Sequence, residues 1–117
     1  MISTFREPSR GDVWQVSFGP VRGREQDGER PAVVISVDEL NSGPAELLIV
    51  IPMTTRRKGI SWHVFVPKGE AGLDFDSYIK VEDVTSISRE RLVRYRGNLT
   101  YPRVEQIQHI LRVLLGL

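Results

Sequence analysis

The sequence predicts an α+β domain that is mostly β, a small antiparallel barrel followed by a C-terminal helix. Short runs rich in β-branched and aromatic residues recur along the chain, separated by polar or glycine-containing stretches. Several of these runs alternate apolar and polar residues, as strands with one buried face do. Only the C-terminal segment shows a helical period, so short strands must form most of the core.

The length and composition indicate one compact domain. The 117 residues are 40% hydrophobic, and neither a repeat nor a low-complexity linker divides them. We expect residues 1–9 to form a flexible lead-in and residues 10–117 to form the domain. The chain has no cysteine, and its N-terminus lacks the apolar region of a signal peptide. Because no apolar run is long enough to span a membrane, the sequence predicts a soluble, cytoplasmic protein.

The first half of the chain is predicted to form three strands. Val13–Phe18 alternates apolar and polar residues, Ala32–Val37 is a β-branched run, and Glu46–Pro52 reads as a buried strand. Residues 21–31 form a polar loop that is too long for a tight hairpin. Functional residues concentrate in loops held at both ends by a sheet, so this loop is the first candidate for a site.

The second half is predicted to add three short strands and a helix. The strands are Ser61–Val66, Tyr78–Glu82 and Tyr95–Leu99, with a short helical turn at Ser88–Arg91. Thr100 can cap the helix, Pro102 suits its first turn, and Gly116 ends it. Apolar residues share one face of this helix, namely Val104, Ile107, Leu111 and Leu114, with Ile110 and Leu115 beside them.

The net charge is only +1, but its distribution along the chain is uneven. Residues 54–68 carry four basic residues and no acid, whereas residues 69–83 carry five acids and one lysine. Residues 89–103 carry five arginines and one glutamate. Such a chain can present a positive patch to a polyanion, although charge runs taken alone favour a solvated surface of mixed sign.

Several kinds of catalytic site are absent from the sequence. It has no glycine-rich phosphate loop with a lysine, no serine elbow and no cysteine nucleophile. The two histidines are His63 and His109, which nearly excludes a histidine-built metal site. His109 is expected at the helix surface, and His63 either faces a groove or is a structural strand residue. We therefore expect no metal or cofactor.

One set of polar and charged residues could line a single cleft, and most of its members can donate hydrogen bonds to phosphate oxygens. Pro31 restricts Arg30 to an extended backbone, so this arginine is fixed where the loop becomes a strand. The other members are Glu25, Gln26, Thr54, Thr55, Arg56 and Arg57. A planar guanidinium suits the charge of a phosphodiester transition state. RNA supplies its own 2′-hydroxyl nucleophile, so RNA transesterification is the easiest phosphodiester cleavage for such a site.

Four motifs in this order resemble the MazF/PemK toxins of bacterial toxin–antitoxin pairs: RGDVWQVSF, GREQDGERPAVVIS, VIPMTT and GLDFDSYIKVEDVTSISRERL. The resemblance runs from Arg10 to Leu117 and implies an SH3-like barrel with a C-terminal helix. It further implies a homodimeric, metal-independent ribonuclease that cuts single-stranded RNA, usually mRNA, at short sequences. A short, partly disordered MazE-like antitoxin is expected to silence it.

The resemblance also implies roles for individual residues. Its core catalytic pair falls on Arg30 and Thr54, and its loop glutamate falls on Glu25. Arg30 is expected to neutralise the scissile phosphate and Thr54 to hydrogen-bond it, while Glu25 accepts the 2′-hydroxyl proton. The products would be a 2′,3′-cyclic phosphate and a 5′-hydroxyl. The expected RNA-binding residues are Arg24, Gln26, Thr55, Arg56, Arg57 and Lys58.

Two other functions are compatible with this fold. One is a gyrase-inhibiting toxin, which would block DNA supercoiling and leave RNA intact. The other is a non-catalytic module that binds nucleic acid, because a fold alone does not fix a chemistry. The Arg30 and Thr54 pair favours the ribonuclease over both.

Overall fold

The computed structural model describes residues 6–19 and 28–117, which contain seven strands and a C-terminal helix. The strands are β1 (Asp12–Ser17), β2 (Glu29–Val34), β3 (Leu47–Thr54), β4 (His63–Val66), β5 (Ser77–Lys80), β6 (Thr85–Ser88) and β7 (Leu92–Asn98). The helices are the single turn α1 (Asp38–Asn41) and α2 (Tyr101–Leu115). Three 3-10 turns cover Glu70–Gly72, Val81–Asp83 and Arg89–Arg91. The predicted class, mostly β with a C-terminal helix, is confirmed.

The strands form one antiparallel sheet in the order β4-β5-β3-β2-β1-β7. The long strand β3 organises it, because its first half pairs with β6 and its last residues pair with β5. Within the described ranges no ladder joins β7 to β4, so the predicted barrel is a curled sheet that stays open on this side.

The open side beside β7 is covered by the 3-10 turn at Glu70–Gly72. The backbones approach so closely that a Cβ on Gly72 would lie 2.3 Å from the carbonyl oxygen of Arg96. A Cβ on Gly97 would likewise lie 2.7 Å from the carbonyl carbon of Ala71. Only glycine permits such contacts, so these two positions hold the segment that leads to β5 against β7.

Apolar side chains on the two faces of the sheet form two separate clusters. One includes Val13, Val33, Ile51, Met53 and Ile79, and it is covered by Val104 and Ile107 of α2. The other includes Trp14, Val16, Ala32, Val34, Leu48 and Val50. Successive side chains of β1, β2 and β3 therefore enter the two clusters in turn, which explains why the sequence of β2 contains a continuous apolar run.

Helix α2 begins after Thr100 and ends at Gly116, whose φ of 71° is the left-handed conformation typical of a helix C-cap. The predicted helix is confirmed, but Thr100 makes no side-chain capping hydrogen bond. Leu114 is 40% exposed and Leu115 is 59% exposed, because the helix outruns the core beneath it. In the part of the chain that the structure describes, no helix is long and apolar enough to cross a membrane.

Two local predictions were wrong. β2 spans Glu29–Val34 rather than 32–37, because the chain turns into α1, which the sequence did not predict. Asn41, the last residue of α1, is buried and donates from Nδ2 to the carbonyl oxygens of Ser36 and Pro8. The predicted helical turn at 88–91 is a 3-10 turn at Arg89–Arg91, and the unpredicted strand β6 precedes it.

Candidate functional site

A cleft of about 250 Å³ opens where β2 begins and β3 ends. Its walls come from β1, β2, β3, β7 and residues 73–77. Arg30, Thr54 and Thr55 all line it, so three of the predicted site residues come together. They come from strand ends that the ladder fixes relative to one another.

Strand pairing explains why Arg30 and Thr54 line the same cleft. In the antiparallel β2–β3 ladder, Val34 pairs with Val50 and Ala32 pairs with Pro52. Arg30 precedes the last rung of this ladder by two residues, and Thr54 follows it by two residues. Both residues therefore lie at the same end of the sheet, and both line the cleft.

The hydroxyl of Thr54 is oriented by the chain that follows it. Its Oγ1 accepts a hydrogen bond of 3.1 Å from the backbone nitrogen of Arg56. Because Oγ1 accepts this bond, the hydroxyl proton is directed elsewhere and can be donated to an oxygen in the cleft. Thr54 is half-buried, whereas Thr55 is exposed. Thr54 is therefore the better oriented donor of the two.

The remaining predicted residues lie at the rim or outside the described ranges. Arg56, Arg57 and Lys58 are exposed and follow Thr55 directly, so they form a basic edge beside the cleft. Arg24, Glu25 and Gln26 lie outside the described residues. Their predicted roles, and those of Arg30 and Thr54, stay predictions.

Sequence reasoning missed Arg96, a β7 residue that also lines the cleft. Its side chain is only 7% exposed. Nη1 donates to Oε1 of Gln15 at 2.9 Å, and Nη2 donates to the carbonyl oxygen of Gly72 at 2.8 Å and to Oδ2 of Asp74 at 2.9 Å. Arg96 thus ties β7 to β1 and to the segment that leads to β5. The arginine-rich stretch 89–103 was visible in the sequence, but nothing in it distinguished Arg96.

The two histidines lie away from the cleft. His63 on β4 has a side chain only 3% exposed, and its Nε2 lies 2.8 Å from Oε2 of Glu82. This agrees with the structural reading of His63 rather than with a groove-facing one. His109 is exposed on α2, as predicted. Within residues 6–19 and 28–117, no three acidic or histidine side chains are grouped closely enough to hold a metal ion.

Two arginines outside the cleft have shifted pKa values. A hydrogen bond to Glu70 raises the pKa of Arg103, and a hydrogen bond to Asp12 raises that of Arg6. A raised arginine pKa keeps the guanidinium charged, so each arginine loses its charge only in strongly alkaline solution. Neither arginine gives the protein a pH dependence near neutrality.

Comparison with known proteins gives a consistent result. The family model described as PemK-like, MazF-like toxin of type II toxin–antitoxin system matches residues 9–115. Endoribonuclease MazF9 of Mycobacterium tuberculosis is 34% identical over 113 residues, which cover 92% of this chain and 96% of the relative. MazF (form I) of Deinococcus radiodurans matches with a TM-score of 0.82 at 26% identity, covering 97% of this chain and 100% of that one. A MazE–MazF structure (form II) from the same organism matches with a TM-score of 0.80 at 25% identity, covering 97% and 99%.

Proposed function

Because this chain belongs to the PemK-like, MazF-like family of toxins from type II toxin–antitoxin systems, we propose that it is an endoribonuclease that cuts single-stranded RNA. Its substrate is chiefly mRNA, cut at short sequences in the cytoplasm, so that translation and growth stop. The observation that carries the proposal is that Arg30 and Thr54 line one cleft. A relative named as an endoribonuclease, 34% identical to this chain, supports the same activity.

The reaction is a transesterification that needs no nucleophile from the protein. The 2′-oxygen attacks the neighbouring phosphorus, the bond from phosphorus to the 5′-oxygen breaks, and a 2′,3′-cyclic phosphate and a 5′-hydroxyl result. Glu25 accepts the proton of the 2′-hydroxyl. The leaving 5′-oxygen takes a proton from Arg30, and a water molecule then reprotonates Arg30.

Arg30 and Thr54 contribute mainly through charge and hydrogen bonding. As the pentacovalent phosphorane forms, negative charge builds on its non-bridging oxygens, and the guanidinium of Arg30 can bind two of them at once. The hydroxyl of Thr54 donates to one of these oxygens. A guanidinium carries five N–H donors and no acceptor, which makes it a poor base, so Arg30 acts as an electrostatic stabiliser and proton donor.

The proposed partners follow from the family and from the basic rim. We expect a homodimer, with RNA lying along a groove that includes the clefts of both copies. A solved structure from Deinococcus radiodurans carries the name MazE–MazF, and a MazE-like antitoxin is the expected inhibitor here. An acidic antitoxin segment can neutralise Arg56, Arg57 and Lys58, and so exclude RNA.

The test compares the protein with its Arg30→Ala variant on long mixed-sequence single-stranded RNA in EDTA. Arg112→Ala, which removes an exposed arginine from the last turn of α2, is the matched control. Loss of one oxyanion-stabilising donor typically costs about 3 kcal/mol, so Arg30→Ala should cut at least about 100-fold more slowly. Sequencing of the ends should find cyclic phosphates at one short sequence. A folded Arg30→Ala protein that cuts normally would refute the role of Arg30, and intact RNA with the unmodified protein would refute the proposed activity.

A further inference from the structure

Phe75 is an exposed aromatic residue in the wall of the cleft. Its side chain is 68% exposed, yet it lines the same cleft as Arg30 and Thr54. Single apolar side chains on a protein surface are common, so exposure alone indicates little. The location beside a phosphate-binding arginine is what requires an explanation.

The backbone on both sides of Phe75 is fixed. Before it, Oδ2 of Asp74 accepts a hydrogen bond of 2.9 Å from Nη2 of the nearly buried Arg96. After it, Oδ1 of Asp76 accepts one of 2.9 Å from the backbone nitrogen of Lys68. Ser77 donates from Oγ to the carbonyl oxygen of Phe75 itself, also at 2.9 Å. The ring is therefore open to solvent while its attachment is held, which lowers the entropy cost of binding a ligand against it.

We infer that Phe75 is a substrate-binding residue, whose ring stacks on an unpaired RNA base next to the scissile phosphate. This inference rests on the endoribonuclease function proposed above and assigns a subsite to it. Single-stranded RNA exposes unstacked bases, and aromatic side chains are their usual platforms. A nucleotide also presents an anion and a flat apolar face within one residue of each other. Arg30 and Phe75 match these two features in one cleft.

A protein surface fits this location less well than RNA does. An apolar partner that covered Phe75 would also cover the Arg30 side of the cleft and the polar groups of Thr54 and Ser77. Covering these polar groups is costly unless the partner hydrogen-bonds to them, so a protein would have to present polar groups and an apolar face together. RNA presents both, because its phosphates and its flat bases repeat along the strand.

The test uses three substitutions and one modified substrate. Phe75→Ala removes the ring, Phe75→Leu keeps an apolar side chain without a flat face, and Phe75→Trp keeps the flat face. The control is Leu47→Ala, which truncates a 40% exposed residue at the far end of β3, about 23 Å from Thr54 along the strand. The substrate is an RNA oligonucleotide that contains the mapped cleavage sequence. Two modified versions of this oligonucleotide each carry one abasic ribonucleotide, directly 5′ of the cut in one and directly 3′ of it in the other. An abasic ribonucleotide lacks the base but retains the 2′-hydroxyl.

Phe75→Ala and Phe75→Leu should lower kcat/KM on intact RNA about 10- to 100-fold, as the loss of one base–aromatic stack does. Phe75→Trp and Leu47→Ala should stay within about threefold of the unmodified protein. On one of the two abasic substrates, the kcat/KM of the unmodified protein should fall by the same factor. The kcat/KM of Phe75→Ala should be no lower on that substrate than on intact RNA. This non-additivity identifies the stacked base.

Other results separate failure of the inference from failure of the function. If the unmodified protein cuts RNA and the Phe75 and abasic effects multiply, stacking is refuted while the ribonuclease stands. The same holds if Phe75→Ala cuts normally but escapes the antitoxin, since the ring then contacts a protein. If the unmodified protein cuts no RNA, both the proposed function and this subsite are refuted.

Discussion

Replacing Arg96 tests whether one buried guanidinium keeps the wall of the cleft in place. Arg96 joins β7 to Gln15 on β1 and to Gly72 and Asp74 in the segment before β5. Arg96→Met retains most of the apolar length of the side chain but removes all of its donors. The segment that carries Phe75 then loses its link to β7, although the close approach of Gly72 to the Arg96 backbone remains.

The loss of stability can be worked out bond by bond. The hydrogen bonds to Gln15 and Gly72 contribute about 1 kcal/mol each. The pair with Asp74 adds about 0.5 kcal/mol, because that carboxylate is 72% exposed and screened by water. Against this, Nε of Arg96 is buried without a hydrogen-bond partner, and removing such a donor regains about 1 kcal/mol. The net loss is about 1.5 kcal/mol.

Thermal unfolding measured by circular dichroism converts this loss into a temperature. With 117 residues, the entropy of unfolding is about 0.25 kcal/mol/K, so Tm should fall by about 6 °C. The proteins must be compared at equal concentration, because a dimer makes Tm concentration-dependent. Arg94→Met is the matched control, since Arg94 is an exposed arginine on the same strand. We expect its Tm to stay within about 2 °C.

Cleavage kinetics supply the second measurement. The kcat/KM of Arg96→Met should fall at a temperature where the variant is fully folded, because the segment that carries Phe75 loses its hydrogen bond from Arg96 to Asp74 and is held less firmly. An unchanged Tm together with unchanged cleavage would refute the role given to Arg96. A lower Tm with unchanged kcat/KM would reduce Arg96 to a structural residue.

Two further predictions concern the core and the basic rim. Ile107→Ala should lower the free energy of unfolding by about 2–5 kcal/mol, because Ile107 lies on the inner face of α2 and is completely buried. Denaturant titration checks this against Val113→Ala, a 65% exposed position on the same helix, where a comparable loss would contradict the packing argument. Replacing Arg56, Arg57 and Lys58 together by alanine should weaken RNA binding and reduce the slope of log affinity against log salt by about 2. Fluorescence anisotropy with labelled RNA measures that slope, and an unchanged value would show that these cations do not contact phosphates.

The fold could be predicted because apolar and polar residues alternate along its strands and because its helix has clear end signals. Val64, Val66 and Ile79 were recognisable as buried positions from alternation alone, and all three are buried. The apolar spacing of Val104 and Ile107 likewise identified the face of α2 that packs on the sheet. Local periodicity is a short-range property, so a sequence displays it directly.

The errors arose where long-range contacts decide the local structure. Thr85–Ser88 is too short and polar to read as a strand, and it forms β6 only because the first half of β3 offers a free edge. Asn41 is polar and nevertheless buried, because the carbonyl oxygen of Pro8, far away in sequence, accepts a hydrogen bond from its side chain. No pattern within a few residues contains either contact.

The candidate site likewise contains residues that the sequence predicted and residues that only the structure revealed. Arg30 and Thr54 were found because proline geometry, strand ends and a family resemblance all pointed to them. Arg96 and Phe75 were missed, because their importance depends on a turn that closes against β7 through Gly72. The candidate phosphate-binding residues could therefore be proposed from the sequence, whereas the shape of the surrounding wall required the structure.

Arg30 and Thr54 lie on one side of the cleft and Phe75 on another, and this separation has an evolutionary consequence. Arg30 and Thr54 lie on neighbouring strands of the ladder, where most substitutions nearby would disturb register and core. Phe75 lies in a connection that is anchored at Gly72 and Ser77 but contributes no rung to the sheet. Under the mechanism proposed above, mutations between those anchors change which bases fit the cleft and leave Arg30 and Thr54 in place. Descendants of such a ribonuclease would then acquire new target sequences without passing through an inactive intermediate.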